Sequence, residues 1–213
     1  MPAARWSITG IALGPLLLAL IGVTHPHQLN PDTAGYWKNM HIGLLVVFPL
    51  LGINIWWLLR GLHHPVAWIA HGLALVYAGF YGALDVLAGV ATGLVVERSV
   101  VEQQPGLTVV NNWLFDEGNA LAVVGVWAFF MACLLTVLSL YLHRVRGRPL
   151  VAGSLLLMAG AWMFLSSHIY YPLGVTAMLL LAAGFSLLMW ARMSADARPT
   201  VPGAPEPVVG LLG

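Results

Sequence analysis

Three histidines gather in one short polar stretch of this chain, VTHPHQLNPDTAGYWKNMHIG (residues 23–43): His25 and His27 flank Pro26, and His41 follows. A fourth, His168, stands in SSHIYYPLG. Imidazole binds zinc, copper, iron and nickel, and carboxylates can complete such a shell. Pro26 fixes its own φ and biases His25 toward extended backbone, so both rings of the HPH motif can project to one side. Met40, beside His41, adds a thioether suited to copper(I). His25, His27, His41 and His168 are therefore the candidate metal ligands, for zinc or copper, with Asp116 or Glu117 available to join them. If such a site is catalytic, an open coordination position activates water, and Glu117, Asp116 or Asp85 serves as general base. Asp85 is the one acid deep inside an apolar run, HGLALVYAGFYGALDVLAGVATG, where insertion at mid-bilayer costs about 2.5–3.5 kcal/mol.

The elements that carry these groups are set by composition. Of 213 residues, 60% are hydrophobic and only 8% charged, against about a quarter charged in ordinary soluble domains. A soluble fold of this size cannot hide so much apolar surface. The expectation is an all-α, polytopic integral membrane protein, a bundle of six spans at about Trp6–Val23, Tyr36–Leu59, Val66–Val96, Trp113–Leu142, Leu150–His168 and Leu173–Ala191. Together they form one domain over residues 1–193, and the Pro- and Gly-rich residues 194–213 read as a disordered cytoplasmic tail. The first run ends in LIGVTHPHQ without a small-residue cleavage site, so it reads as a retained helix rather than a signal peptide.

Charge sets the orientation. With the N-terminus in the cytoplasm, Arg5, Arg60, Arg144, Arg146, Arg148, Arg192 and Arg198 fall inside and only Lys38 and Arg98 outside. Short Arg-rich connectors stay cytoplasmic, which gives N-in and C-in. Trp6, Trp56, Trp57, Trp68 and Trp190 then map to the inner boundary, and Trp37 and Trp113 to the outer one, as amphipathic rings prefer. This threading brings His25, His27, His41 and His168 to one depth at the outer face, although they are distant in sequence. The expected partners are the bilayer itself and a small-molecule or lipid substrate at that face.

Plainer roles exist for each group. Asp116 and Glu117 suit a helix N-terminus, and Asn30 and Asp32 suit a turn. Gly72, Gly79, Gly82, Gly89 and Gly93 suit close helix packing. Asp85 suits a buried hydrogen bond to Asn54 or a tyrosine. With His71, Ala78 and Thr92 it also forms a stripe of seven-residue period. Three other function classes remain beside a metal-linked site. A b-type haem could use His41 with His168, or His71 with His143. A proton-coupled transporter could use Asp85, although no three-plus-three repeat is visible. A noncatalytic subunit would instead have a membrane-complex partner. The net charge of +1 and the lack of a basic cluster argue against nucleic acid as a partner. A single cysteine, Cys133, excludes an intrachain disulfide. No Walker loop, G-x-S-x-G, H-E-x-x-H or C-x-x-C is present.

Overall fold

Each apolar run is a helix in the computed structural model, which describes residues 2–103 and 107–197. Among the described residues there is no strand. The helices are α1 (Pro2–Thr24), α2 (Ala34–Val47), α3 (Pro49–Leu58), α4 (Pro65–Leu84), a π-helical segment (Asp85–Ala91), α5 (Thr92–Glu102), α6 (Leu107–Leu142), α7 (Arg148–Ser167) and α8 (Leu173–Asp196). Taken end to end they make six helices long and apolar enough to cross a membrane: Trp6–Thr24, Ala34–Leu58, Pro65–Glu102, Leu107–Leu142, Arg148–Ser167 and Leu173–Asp196.

Local chemistry explains the breaks. Pro49 has no N–H to donate back along the helix, and α2 gives way to α3 at Phe48. His64 caps α4 by accepting from the Ala67 amide, with Pro65 in the first turn where its missing donor costs nothing. Two helices run further than hydropathy alone suggests. The third continues past Val96 to Glu102, and the fourth starts at Leu107 rather than Trp113. Charged residues such as Arg98 and Glu102, paired at 3.9 Å one turn apart, sustain a helix that an apolarity criterion stops too early. The last helix likewise extends to Asp196, and residues 198–213 of the expected tail lie outside the described residues.

The core is formed where α4 packs on α6, and α8 on both α7 and α1. Its largest fully buried side chains include Tyr77, Tyr81, Phe48, Phe129, Phe164 and Phe185. Of the glycines expected to bring helices together, Gly89 and Gly93 do so, lying against His41 and Lys38 of α2. Gly72, Gly79 and Gly82 face open space, whereas Gly160 and Gly184 let α7 and α8 touch backbone to backbone. Gly125 of α6 does the same for α4, where it meets the backbone of Tyr81. At the opposite end of the bundle from the residue 25–33 connector, Arg192 of α8 donates to the carbonyls of Leu58 and Arg60. It thereby satisfies groups that the end of α3 leaves free.

Candidate metal centre

The end of α1, the second turn of α2 and the end of α7 meet at one end of the bundle. Each contributes one imidazole. His25 is the first residue after α1, His41 lies in α2, and His168 follows α7. One ring nitrogen from each lies within 4.8 Å of the other two. Ring centroids are 5.3 Å apart for His25–His41, 5.4 Å for His25–His168 and 6.2 Å for His41–His168, whose rings are nearly parallel.

Backbone features hold the three rings. Asn30 Oδ1 accepts from the amides of Asp32 and Thr33 at 3.0 and 3.1 Å, and Thr33 Oγ1 donates to the Gln28 carbonyl at 3.0 Å. This is the turn chemistry expected of Asn30, and it folds the connector back onto α2. Gly22 admits the Ile169 carbonyl, which brings the end of α1 against the α7–α8 turn. Gly89, in the π-helical segment, lies directly against the His41 ring, where a Cβ would collide with it. π-Helical turns are rare and concentrate at functional sites. His168 itself has φ +45° and ψ −135°, a conformation that costs a non-glycine residue about 1–3 kcal/mol. Such strain persists only where the surroundings impose it.

Hydrogen bonds decide which nitrogen each ring presents. His25 Nδ1 is 2.8 Å from the Pro26 carbonyl and His41 Nδ1 is 2.8 Å from the Trp37 carbonyl. A carbonyl only accepts, so both Nδ1 atoms carry the proton and both Nε2 atoms carry a lone pair. His168 Nδ1 shares a hydrogen bond with the Tyr81 hydroxyl at 2.5 Å, in which either group can donate, and its Nε2 stands outside that bond. Metal-binding histidines are oriented in this way, through an outer partner on the second ring nitrogen. His25 Nε2 is buried and has no hydrogen-bond partner among the described residues. Burial pushes the His25 pKa down to about 4, partly offset by its bond to Pro26 and reinforced by His41 and His27, so the ring is neutral at pH 7.

This donor set fits a metal. At the ~2.0–2.1 Å of a zinc–imidazole bond, tetrahedral or trigonal ligands stand roughly 3.3–3.6 Å apart. Closing from within 4.8 Å requires a contraction of about 1 Å, which side-chain rotation can supply. Three imidazoles with one position left open is also the ligand count of catalytic zinc sites.

A cavity of about 290 Å³ opens beside the trio, and His41, His168, Tyr81 and Tyr170 line it. Apolar walls come from Phe115, Val126 and Phe164. The polar side chain of Asn119 also faces it.

Other expected site residues lie elsewhere. His27 is exposed, and its ring stacks on Tyr170 instead of joining the trio. Glu117 and Asp116 are exposed on α6 and do not line the cavity. Met40 packs against the core. Lys38 forms an ion pair with Glu97. Asp85 is fully buried, and neither oxygen has a partner among the described residues. Its anticipated partners are engaged: Asn54 donates to the Ile11 carbonyl, Tyr77 to the Phe48 carbonyl, and Tyr81 bonds His168. The His71–Asp85–Thr92 stripe changes register at Asp85, where the π turn begins. Sequence reasoning did not single out Gly89, Tyr170 or Trp37 as parts of a site. Trp37, expected at the membrane boundary, is buried beside His25 and His41, with its Nε1 donating to the Ala88 carbonyl at 3.2 Å. Tyr81 stands one turn before Asp85, and nothing in the sequence pattern ties it to His168.

No protein-family model matches the chain, and no curated protein or solved structure shows significant similarity to it.

Proposed function

We propose that the chain is a multi-pass membrane protein, N-in and C-in, whose extracytoplasmic face carries a three-histidine metal site for zinc or copper, used in binding or catalysis. One observation carries this reading: three imidazoles converge while their Nδ1 atoms are already committed to Pro26, Trp37 and Tyr81. The membrane placement is supported by exposed apolar side chains such as Leu20, Val46, Leu75 and Leu155 on the spanning helices. It is also supported by the position of Arg60, Arg144, Arg146, Arg148 and Arg192 at the end remote from the trio.

His25, His41 and His168 would hold the ion. A metal with an open position supplies Lewis acidity and lowers the pKa of bound water. The chain's own contribution is orientation, through the two carbonyls and the tyrosine, and exclusion of bulk water by Trp37 and Tyr170. Haem fits this end of the bundle less well. A porphyrin between His41 and His168 would have to occupy the place where the His25 ring meets both of theirs.

Elemental analysis of the purified protein tests the proposal. About one equivalent of zinc or copper is expected, falling to background in His41→Ala and His168→Ala. Metal retained by both variants, or absent from protein grown with ample zinc and copper, would refute it.

A further inference from the structure

The cavity beside the trio has an unusual situation. Its walls include no Asp, Glu, Lys or Arg. Its rim reaches Val123 on α6, which is 55% exposed and stands beside Val124 and one turn from Trp127, both also exposed. That face of α6 therefore looks outward from the bundle, and the cavity mouth lies between α6 and α7.

Depth can be read from helix rise. Val123 precedes Leu142, the inner end of α6, by nineteen residues, or about 28 Å at 1.5 Å per residue. The 20 residues of α7 carry His168 about 30 Å from its inner end. A hydrocarbon core is about 30 Å thick, so the mouth opens at its outer edge and the trio lies at the same level.

On the side of the connector the trio is covered. That connector bears His25, and the Tyr170 ring packs on His25 at 4.4 Å. A second, outward-facing depression lined by His27, Tyr171 and Leu173 shares only Ser166, Ser167 and Tyr170 with the cavity. Those three residues are the partition between them.

We propose that the site takes a neutral, lipid-dissolved compound bearing a hydroxyl group, an alcohol or a phenol, which enters sideways from the outer leaflet between α6 and α7. This inference rests on the three-histidine metal reading. Uncharged walls of Phe115, Val126 and Phe164 suit an apolar body, because a charged one would lose its hydration without a partner there. The Asn119 amide and the open metal position suit a hydroxyl, which both donates a hydrogen bond and offers a lone pair. At about 290 Å³ the cavity is at the low end of the ~300–1,000 Å³ typical of small-molecule sites. One ring or a short chain fills it, and any remaining tail stays in lipid.

The full-length protein, loaded with cobalt(II) in phosphatidylcholine nanodiscs, tests this through the visible cobalt band. Octan-1-ol and 4-propylphenol are the lipid-soluble probes, and glycerol is a neutral hydroxyl compound confined to water. Both lipid-soluble probes are expected to shift the band saturably, with glycerol silent at a hundredfold higher concentration. Val123→Trp and the milder Val123→Phe are expected to raise half-saturation for octan-1-ol at least tenfold. Their cobalt spectra without probe should match wild type, which also shows that they fold. A band that neither lipid-soluble probe moves, that glycerol moves as readily, or whose response survives both Val123 variants overturns the inference while the metal site stands. Protein that takes up no cobalt refutes the metal reading, and this inference with it, before any probe is added.

Discussion

Gly89→Ala places one methyl group where the geometry allows none. A Cβ built at this position comes within 2.6 Å of His41 Cβ and closer still to the ring carbons. Carbon atoms rest about 3.5–4.0 Å apart, so helix α2 and the π-helical segment must separate by about 1 Å. Metal–ligand distances tolerate about 0.2 Å, so a shift of that size removes His41 from the coordination sphere or forces the other two ligands to follow. Disturbing an outer partner alone weakens metal affinity about 10–100-fold. Displacing a ligand should do at least as much, a loss of about 1.4–2.8 kcal/mol or more. Overpacking adds about 1–3 kcal/mol of destabilisation even without metal. Chelator competition measures the first quantity and thermal unfolding in detergent, with and without zinc, the second. Gly79→Ala is the matched control, since its Cβ meets nothing within 4 Å on the same spanning helix. It should leave affinity unchanged and, by removing a helical glycine, should not lower stability. Wild-type zinc affinity in Gly89→Ala would refute the claim that this glycine exists to seat His41.

Tyr81→Phe deletes the hydroxyl bonded to His168 Nδ1 while keeping the ring in the core, and competition titration should show zinc binding weakened about 10–100-fold. His168→Gly and His168→Ala should both lose metal, but the glycine variant should unfold at higher temperature, because only it relieves the positive φ, by about 1–2 kcal/mol. Equal melting temperatures would show that the backbone there is not strained. Asp85→Asn keeps the side-chain shape and removes the one buried acid of the π-helical segment. If that acid balances a divalent ion held by three neutral ligands, zinc affinity should fall in the competition assay with the fold intact, whereas unaltered affinity would separate Asp85 from the site. His27→Cys and His63→Cys place exposed thiols at opposite ends of the bundle against a single buried native cysteine. An impermeant maleimide applied to intact cells should label the first and not the second, and the reverse pattern would invert the topology.

Much of the architecture was legible because long apolar runs impose a simple grammar. A run of about 20 apolar residues must be helical to satisfy its backbone, so six runs became six long helices with few surprises. The surprises fall where apolarity stops being informative: residues 97–102 continue their helix with a charge pair, and 107–112 continue theirs although Thr, Val and Asn are weak helix formers. His25, His41 and His168 do come together, since alternate helix ends of a bundle threaded back and forth meet at one end of it. Threading alone could not separate His25 from His27. These two share a loop and a depth, and only the packing of Tyr170 between the connector and α7 decides which ring turns inward. Glu117 was misleading for a related reason: depth says nothing about the direction in which a helix face points. Gly89 was visible as one of several glycines in its span. Its particular role depends on the π turn, which re-aims the helix by one residue and has no signature in the apolar pattern.

The supporting groups also bear on why the three imidazoles persist. His25 Nε2 is buried with no partner among the described residues, and a buried, unsatisfied acceptor of this kind costs about 1–3 kcal/mol. The backbone at His168 adds a strain of similar size. A sequence selected only for stability could remove both terms with apolar side chains, as it does one to two helical turns below, where Phe48 and Phe164 fill the same core. Protonation does not relieve the arrangement at neutral pH, since burial and the neighbouring histidines keep His25 uncharged there. A cation that accepts the His25 Nε2 lone pair would turn the first of these costs into a binding contact, and the two carbonyls already keep the proton of the His25 and His41 rings on Nδ1, the tautomer it would need.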